Sequence, residues 1–217
     1  IGNGMGRAKE IIIKVIPSKI ANDFMKAHHY SGKIVNNSVL HFGCFLDNKL
    51  GGVLQYGNPI DKRNVLHFVE TSNKGFNSKW NEMLELNRMA FSEFLPKYSE
   101  SRCIAITIKL IKKKAPQIKW ILSFADGTQC GDGTIYRASG FTLTGIKKNN
   151  TIVKLASGET TARHGTSNKD FTGAEKLKGY QFRYIYIIDK KSKLRVPEIP
   201  FSKIKEMDAG MYKGIKR

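Results

Sequence analysis

The chain has 217 residues, 41% hydrophobic and 10% aromatic, with 37 Lys and Arg against 18 Asp and Glu and a formal charge of +19. That length and apolar content support a folded domain with its own core and exclude a disordered chain. No apolar run approaches the ~18 residues of a membrane span, and Ile1-Gly2-Asn3-Gly4 opens no apolar signal region, so neither a membrane segment nor a secretory signal is predicted.

Cys44, Cys103 and Cys130 are odd in number and share no CxxC spacing. This argues against a disulfide framework and a zinc knuckle, and predicts a reducing cytosol. The positive excess calls for a polyanion, DNA or RNA first and an acidic membrane surface second. The plain alternative is a lysine-rich proteome, since 28 of the basic residues are lysines.

Glu10 to Ile16 is rich in β-branched residues and predicts a strand ended by Pro17. A helix follows, with Ser18 as its cap, Ile20, Phe24 and Ala27 on its buried face, and Gly32 as its stop. Val39–Leu46 and Leu50–Tyr56 flank Asp47-Asn48-Lys49 as a hairpin, and 65–70 is a third short strand. Leu84–Phe91 fits either a helix or a strand and is read as a strand. Beyond Pro96, Ser99–Lys114 is a helix capped by Ser99, with Ile104, Ile108 and Ile111 on one face. Lys119–Ala125 is a buried strand, Gly133–Ser139 a short helix closed by Gly140, and Phe141 and Arg183–Ile188 open later strands. A meander followed by alternating strands and helices predicts an α/β or α+β mixed sheet. From Lys147 onward 17 basic residues stand against 7 acidic ones. The expected organisation is one domain over 8–189, with a basic polar loop at 157–180, and a basic C-terminal extension at 190–217.

Several residues carry candidate chemistry. The segment Pro96-Lys97-Tyr98-Ser99-Glu100-Ser101-Arg102 opens a helix, and its free N–H groups, Lys97, Ser99, Ser101 and Arg102 suit a phosphate. An ordinary helix start is the alternative, and Glu100 would repel an anion. Arg88 interrupts an apolar strand, sharing a face with Leu84, Leu86 and Ala90, and needs an anionic partner there. Asp126 ends a buried strand before Gly127, where α/β sheets gather ligands, although Asp-Gly also makes turns. His28 continues the buried helix face as a packed histidine, whereas His29 and Tyr30 stand turned away at the helix end. Tyr56 ends a hairpin strand and either lines the site or is an edge aromatic. His41 and Cys44 point to opposite strand faces, which rejects a zinc pair. Cys103 belongs to the core, and Cys130 alone has a reactive setting. The stretch holding Arg163, His164 and Lys169 suits DNA phosphates or a groove. Arg183, Tyr184 and Tyr186 could stack on an extruded base, or simply form a half-buried strand.

Tyr136, Gly140 and Phe141 make a Y-x-x-x-G-F element that resembles the GNAT superfamily of N-acetyltransferases, where such a tyrosine often protonates the leaving thiolate of coenzyme A. The superfamily's Gly-rich pyrophosphate loop is missing, because no glycine lies between Pro96 and Lys114. A closer resemblance runs from Ala27 to Asp189: HHYSGK, ELNRMAF, PKYSESR, FADG, GTIYRASGF and QFRYIYIID are similar to the Mom family of phage DNA-modification proteins. The resemblance implies a GNAT-like central mixed sheet flanked by helices, with a basic C-terminal elaboration. It implies an acyltransferase-like enzyme that converts adenine in DNA to a methylcarbamoylated (carbamoylmethyl) form and protects phage DNA from host restriction.

Acetyl-CoA or a related thioester, double-stranded DNA and a host-cytoplasmic setting follow from the same resemblance, with monomer and homodimer both left open. Catalytic roles fall to His29, as a base or metal ligand, to Tyr30, as a substrate contact, and to Asp126 and Tyr136, and cofactor binding falls to Arg88, Lys97, Ser99, Ser101 and Arg102. Substrate contacts fall to Tyr56, Arg163, His164, Lys169 and Arg183. The family is associated with iron, which His29 and Asp126 could share. A conventional N-acetyltransferase for a protein or small amine, and a non-catalytic DNA-binding module, are the rival readings.

Overall fold

The computed structural model describes residues 6–71, 75–128, 131–149, 151–162, 170–212 and 215–216. In chain order the first elements are β1 (Ile12–Val15), α1 (Ser18–His28), β2 (Ser38–Leu46), β3 (Lys49–Gly57), β4 (Val69–Glu70), β5 (Met83–Phe91), α2 (Ser99–Lys114), β6 (Trp120–Asp126) and α3 (Thr134–Ala138). There follow β7 (Thr142–Asn149), β8 (Ile152–Lys154), β9 (Thr160–Ala162), β10 (Glu175–Lys176), β11 (Gly179–Ile187), β12 (Lys193–Leu194), α4 (Ser202–Glu206), β13 (Met211–Tyr212) and β14 (Ile215–Lys216). Among the described residues no helix is long and apolar enough to cross a membrane. The chain forms two compact units. The first is Ile1–Ser123 with Ala138–Phe141 and Ile185–Val196; the second is Phe124–Arg137 with Thr142–Tyr184 and Pro197–Arg217.

In the first unit β1, β2, β3 and β5 pair antiparallel in that order, and β6 joins β5 in parallel, giving a mixed sheet. The β2–β3 turn holds Asp47 at φ 51° and Asn48 at φ 60°. Two left-handed central residues match the twist of the flanking strands, and Asp and Asn tolerate that conformation best after glycine. The stretch predicted as a third strand is mostly a 3-10 turn (Leu66–Phe68), with only β4 extended and paired to β12.

The two helices cover opposite faces. Gln55 and Tyr56 are neighbours on β3 and so point apart. Gln55 Nε2 donates to Asn22 Oδ1 of α1 (2.9 Å), while the Tyr56 hydroxyl bonds Thr107 of α2 (2.7 Å). α1 lays Ala21, Phe24 and Met25 against Ile16, Val53 and Ala90. Its buried stripe is therefore rotated from the predicted one: Ile20 is 47% exposed and Ala21 is fully buried. The small Ala21 lets the helix approach the sheet closely. α2 buries Ile104, Ile108 and Ile111 as its spacing predicts. Neither helix uses the predicted serine as its cap, since Pro17 and Tyr98 occupy those positions, Tyr98 at φ 70°.

Cys103 is buried on α2 beside Cys44, which is also buried. Contact with Cys103, and burial, push the Cys44 thiol far up, so it is inert. His41 bonds Gln55 on the α1 side (3.1 Å), away from Cys44, as strand alternation requires.

Two irregularities of β5 matter. Its parallel ladder with β6 runs only from Met83↔Trp120 to Leu86↔Ser123. On its other side Tyr56 pairs Leu86 and Gln55 pairs Arg88, so Asn87 is an extra residue, a β-bulge. Leu86 therefore shares the α2 face with Tyr56, while Arg88 shares the α1 face with Gln55. The predicted common face of Leu86 and Arg88 does not exist.

In the second unit β7 lies beside residues 179–184 of β11, and β10, β8 and β9 form a small antiparallel sheet. Residues 190–217, expected as an extension, are divided between the units. β12 pairs with β4 in the first unit. In the second, Ile199 N–H donates to Leu143 (2.8 Å) and Ile204 is buried.

Candidate active site

α1 ends at His28, and His29 leaves it in an extended conformation (φ −84°, ψ 136°) with its N–H still bonded to the Met25 carbonyl (2.9 Å). Gly32, at φ 58°, turns the chain back by donating to the His29 carbonyl (2.9 Å). This break in the helix reverses the expected orientation of the histidine pair. His28 is exposed, lying on the Phe24 ring (centroids 4.2 Å apart), and His29 is the partly buried one.

His29 Nδ1 accepts from Arg88 Nη1 (3.0 Å) and from the Ser31 N–H (3.2 Å). Arg88 Nη1 also donates to Ser31 Oγ (2.7 Å). With Nδ1 an acceptor, this network assigns the ring proton to Nε2. Burial, and then the Arg88 charge, hold His29 down at a pKa of about 4. It is neutral near pH 7 and offers a donor. Tyr30 lies against the His29 ring (4.3 Å), is 56% exposed, and its phenol favours the Arg88 charge.

Arg88 is half-buried, and among the described residues it forms no ion pair. Its Nε is buried with no hydrogen-bond partner. A guanidinium removed from water among neutral groups is costly unless an anionic or strongly polarised oxygen comes to it. Sequence reasoning missed Glu85, which the bulge brings to the same face of β5 as Arg88. Burial raises its carboxyl to about 7, moderated by a hydrogen bond with Asn87. Asn87 in turn accepts from Ser38 Oγ (3.1 Å) and donates to the Asn58 carbonyl (3.3 Å). The signal was a second charged residue inside an apolar strand, three positions from Arg88.

At the start of α2, Ser99 is buried and its hydroxyl donates to the Pro96 carbonyl (2.5 Å); Ser101 Oγ donates to Tyr98 (3.3 Å). The first-turn amides of Glu100 and Ser101 are left without intrahelical acceptors. Arg102 reaches the Lys9 carbonyl (3.2 Å), and its Nε is buried without a partner. Lys97 is exposed. These donors fit a pyrophosphate, through backbone and guanidinium rather than through the serine hydroxyls. Tyr56 is fully buried on a central strand, facing α2, so it is not an edge aromatic.

In the second unit Asp126 makes the turn that its Asp-Gly sequence allows, its carboxylate accepting the Thr128 N–H (2.9 Å). Tyr136 is buried and stacked on Tyr184 (centroids 5.2 Å apart). The Tyr184 hydroxyl donates to the Asp132 carbonyl, and burial raises its pKa. Arg183 is tied to β7, Nε to Thr144 Oγ1 (3.0 Å) and Nη2 to the Thr144 carbonyl (2.6 Å). Arg163, His164, Lys169 and Cys130 lie outside the described residues.

Iron does not fit His29 in this arrangement. Its Nδ1 lone pair already serves two donors, one of them a cation that would repel a metal ion. Among the described residues no group of three or more His, Cys, Asp or Glu side chains could hold a metal.

A mixed sheet whose parallel β5–β6 ladder stops at Leu86, with the intervening helix α2 starting in free donors, defines an N-acetyltransferase-like fold. Solved structures agree. An acetyltransferase of Bacillus subtilis in complex with CoA matches at 12% identity and a TM-score of 0.50, covering 82% of this chain and 99% of that one. An N-acetyltransferase of Staphylococcus aureus Mu50 matches at 10% identity and a TM-score of 0.50, covering 82% and 98%.

A sequence model of the Mom protein family matches residues 10–203, and the chain belongs to that family. The methylcarbamoylase Mom of Escherichia phage Mu is 33% identical over 205 residues, which cover 87% of this chain and 80% of that protein. The protein is an acyltransferase-like enzyme.

Proposed function

We propose that the protein modifies adenine in DNA at its exocyclic amine, using an acyl-derived group from a coenzyme A thioester on the way to the methylcarbamoylated base, and so shields phage DNA from host restriction. The observation that carries this reading is the half-buried Arg88, which forms no ion pair among the described residues, with His29 and Tyr30 beside it in a chain of the Mom family. The +19 charge supports a nucleic-acid substrate, and the host cytoplasm supplies both DNA and thioesters.

Attack on a thioester carbonyl builds negative charge on its oxygen. Arg88 and the Nε2–H of His29 are donors for that charge, already fixed by Ser31 and so costing no reorganisation. His29 thus acts as a donor rather than as a base. Glu85, with a pKa of about 7, is the proton acceptor for the attacking amine. The amides of Glu100 and Ser101, with Lys97 and Arg102, would hold the pyrophosphate, and the thioester when bound supplies the activated acyl carbon. The edge of β5 beyond Leu86, free of β6, offers backbone groups to the amides of the pantetheine arm. Acetyl transfer alone would give acetyladenine. The carbamoylmethyl group is joined through its CH2 carbon and carries one NH more than acetyl. Converting the acetyl adduct into it takes a second step that moves the linkage to that carbon and brings in an ammonia-level nitrogen, with two electrons passing to an oxidant.

Tyr136 as proton donor to the leaving thiolate, Asp126 as an orienting carboxylate, and Arg163, His164, Lys169 and Arg183 as DNA contacts are proposals open to the same assay. The test is mass spectrometry of nucleosides from DNA of cells expressing wild type, Arg88→Gln, His29→Ala or Asp126→Ala protein. Wild type is expected to yield a carbamoylmethyl-sized gain on deoxyadenosine, and Arg88→Gln about a hundredfold less. Modification unaffected by Arg88→Gln would remove the site. Unmodified DNA with acetylated amines would favour a conventional N-acetyltransferase.

A further inference from the structure

Adenine's exocyclic amine takes part in base pairing, so an enzyme that modifies it in duplex DNA must extrude the base and deal with the gap left behind. The loop after β3 carries a side chain suited to that gap. Ile60 is 98% exposed, the highest exposure among the large hydrophobic side chains of the described residues. Single exposed apolar residues are ordinary; this one differs in its support and in its neighbours. Pro59 beside it is buried. Asn58 N–H donates to the Asn37 carbonyl (3.1 Å), and the Asn58 carbonyl accepts from Asn87 (3.3 Å), the bulge residue next to Arg88. On the far side Asp61 accepts from the Asn64 N–H (3.4 Å), and Val65 N–H donates to Lys62 (3.1 Å). The loop is thus tied at both ends and presents Ile60 at its tip.

The surroundings are cationic and aromatic. The Lys62 ammonium lies over the Trp80 ring (4.8 Å from its centroid), and Trp80 is 66% exposed. Arg63 and Lys79 are exposed beside them. Apolar tips flanked by cations are what insertion between base pairs requires, with the cations on phosphates and the tip filling the stack.

Position along the sheet agrees. β3 and β5 are antiparallel, with Gly57 opposite Glu85, so Ile60 projects beyond the Glu85 end of β5. The α2 start lies beyond the other end of β5, with Arg88 between. A cofactor at the α2 end and DNA at the Ile60 end would meet at Arg88.

We propose that Ile60 is a DNA wedge, inserting into the duplex where the target adenine is extruded, with Lys62, Arg63 and Lys79 on the flanking phosphates. The proposal rests on adenine in duplex DNA being the substrate.

The test compares wild type, Ile60→Ala and Ile60→Phe on a duplex with 2-aminopurine, fluorescent when unstacked, in place of the target adenine. Modification is measured in parallel on the normal duplex and on the same strand single. Ile60→Ala is expected to lose about tenfold in fluorescence gain and in duplex modification, while single-strand modification stays within about threefold. Ile60→Phe restores both duplex signals. Fluorescence gain without modified adenine, dependent on Ile60, keeps the wedge and overturns the chemistry. Equal fluorescence for wild type and Ile60→Ala, equal loss on both substrates, or no gain with wild type overturns the wedge.

Discussion

At the scale of single residues, Glu85 and His29 face opposite consequences of burial. Glu85 ordinarily titrates at 4.5 and in the fold at about 7. Between those values the folded chain binds more protons than the unfolded one, so its stability falls as pH rises from 4.5 to 7. The loss is of order 3 kcal/mol. His29 runs the other way, since its folded value of about 4 lies below 6.5, and its contribution is lost as pH falls through that window. The two slopes oppose each other between 4.5 and 6.5, so a variant separates them better than the wild-type curve. Glu85→Gln should melt higher than wild type at pH 8 and alike near pH 4.5, in thermal scans across pH. A lower melting temperature at pH 8 would mean that the ionised carboxylate stabilises the fold. That Arg88 is a charge in need of polar partners was legible in the sequence, because it interrupts an apolar strand; the face it takes was not. Glu85 was not, because simple alternation assigned it to the face opposite Arg88.

The cause lies at the scale of the element. The helix Ser99–Lys114 was readable from apolar spacing, since it buries the stripe its period dictates, whereas the strand Met83–Phe91 buries only Met83, Leu86 and Ala90, a spacing that alternation does not give. A bulge leaves no such trace. One extra residue at Asn87 changes which face every later side chain takes, and puts Arg88 and Ala90 on the α1 side. The end of α1 was misread for a related reason: helical spacing was extended through His29, which has already left the helix. Deleting Asn87 should restore alternation and drive either Leu86 or Arg88 to the wrong face, at a cost of roughly 3 kcal/mol or more. Asn87→Ala keeps the bulge and loses only side-chain hydrogen bonds, about 1 kcal/mol. Urea denaturation of the two variants checks the difference. Similar losses in both would show that the asparagine side chain, and not the extra residue, holds the strand.

For the whole molecule, composition pointed to a polyanion but not to where it would bind. The sequence directed attention to the C-terminal third, where basic residues outnumber acidic ones by 17 to 7. In the first unit, however, Arg63, Lys79 and Lys62 gather around exposed Ile60 and Trp80, although 16 positions separate the two lysine-bearing stretches of Arg63 and Lys79 in sequence. Only folding brings 58–65 and 79–82 together, through the Lys62–Trp80 contact. Phosphate contacts and a wedge leave different signatures in salt. Each phosphate neutralised releases counterions and adds about 0.9 to the slope of log affinity against log salt on duplex DNA. Arg63→Ala and Lys79→Ala should each reduce that slope by about this amount, uniformly across sequences. Ile60→Ala should leave it unchanged, because an apolar side chain displaces no counterion. Fluorescence-anisotropy titrations at several salt concentrations distinguish the cases. Unchanged slopes in both cation variants would move the phosphate contacts elsewhere on the chain, and a reduced slope for Ile60→Ala would mean that the loop tip positions cations instead of entering the stack.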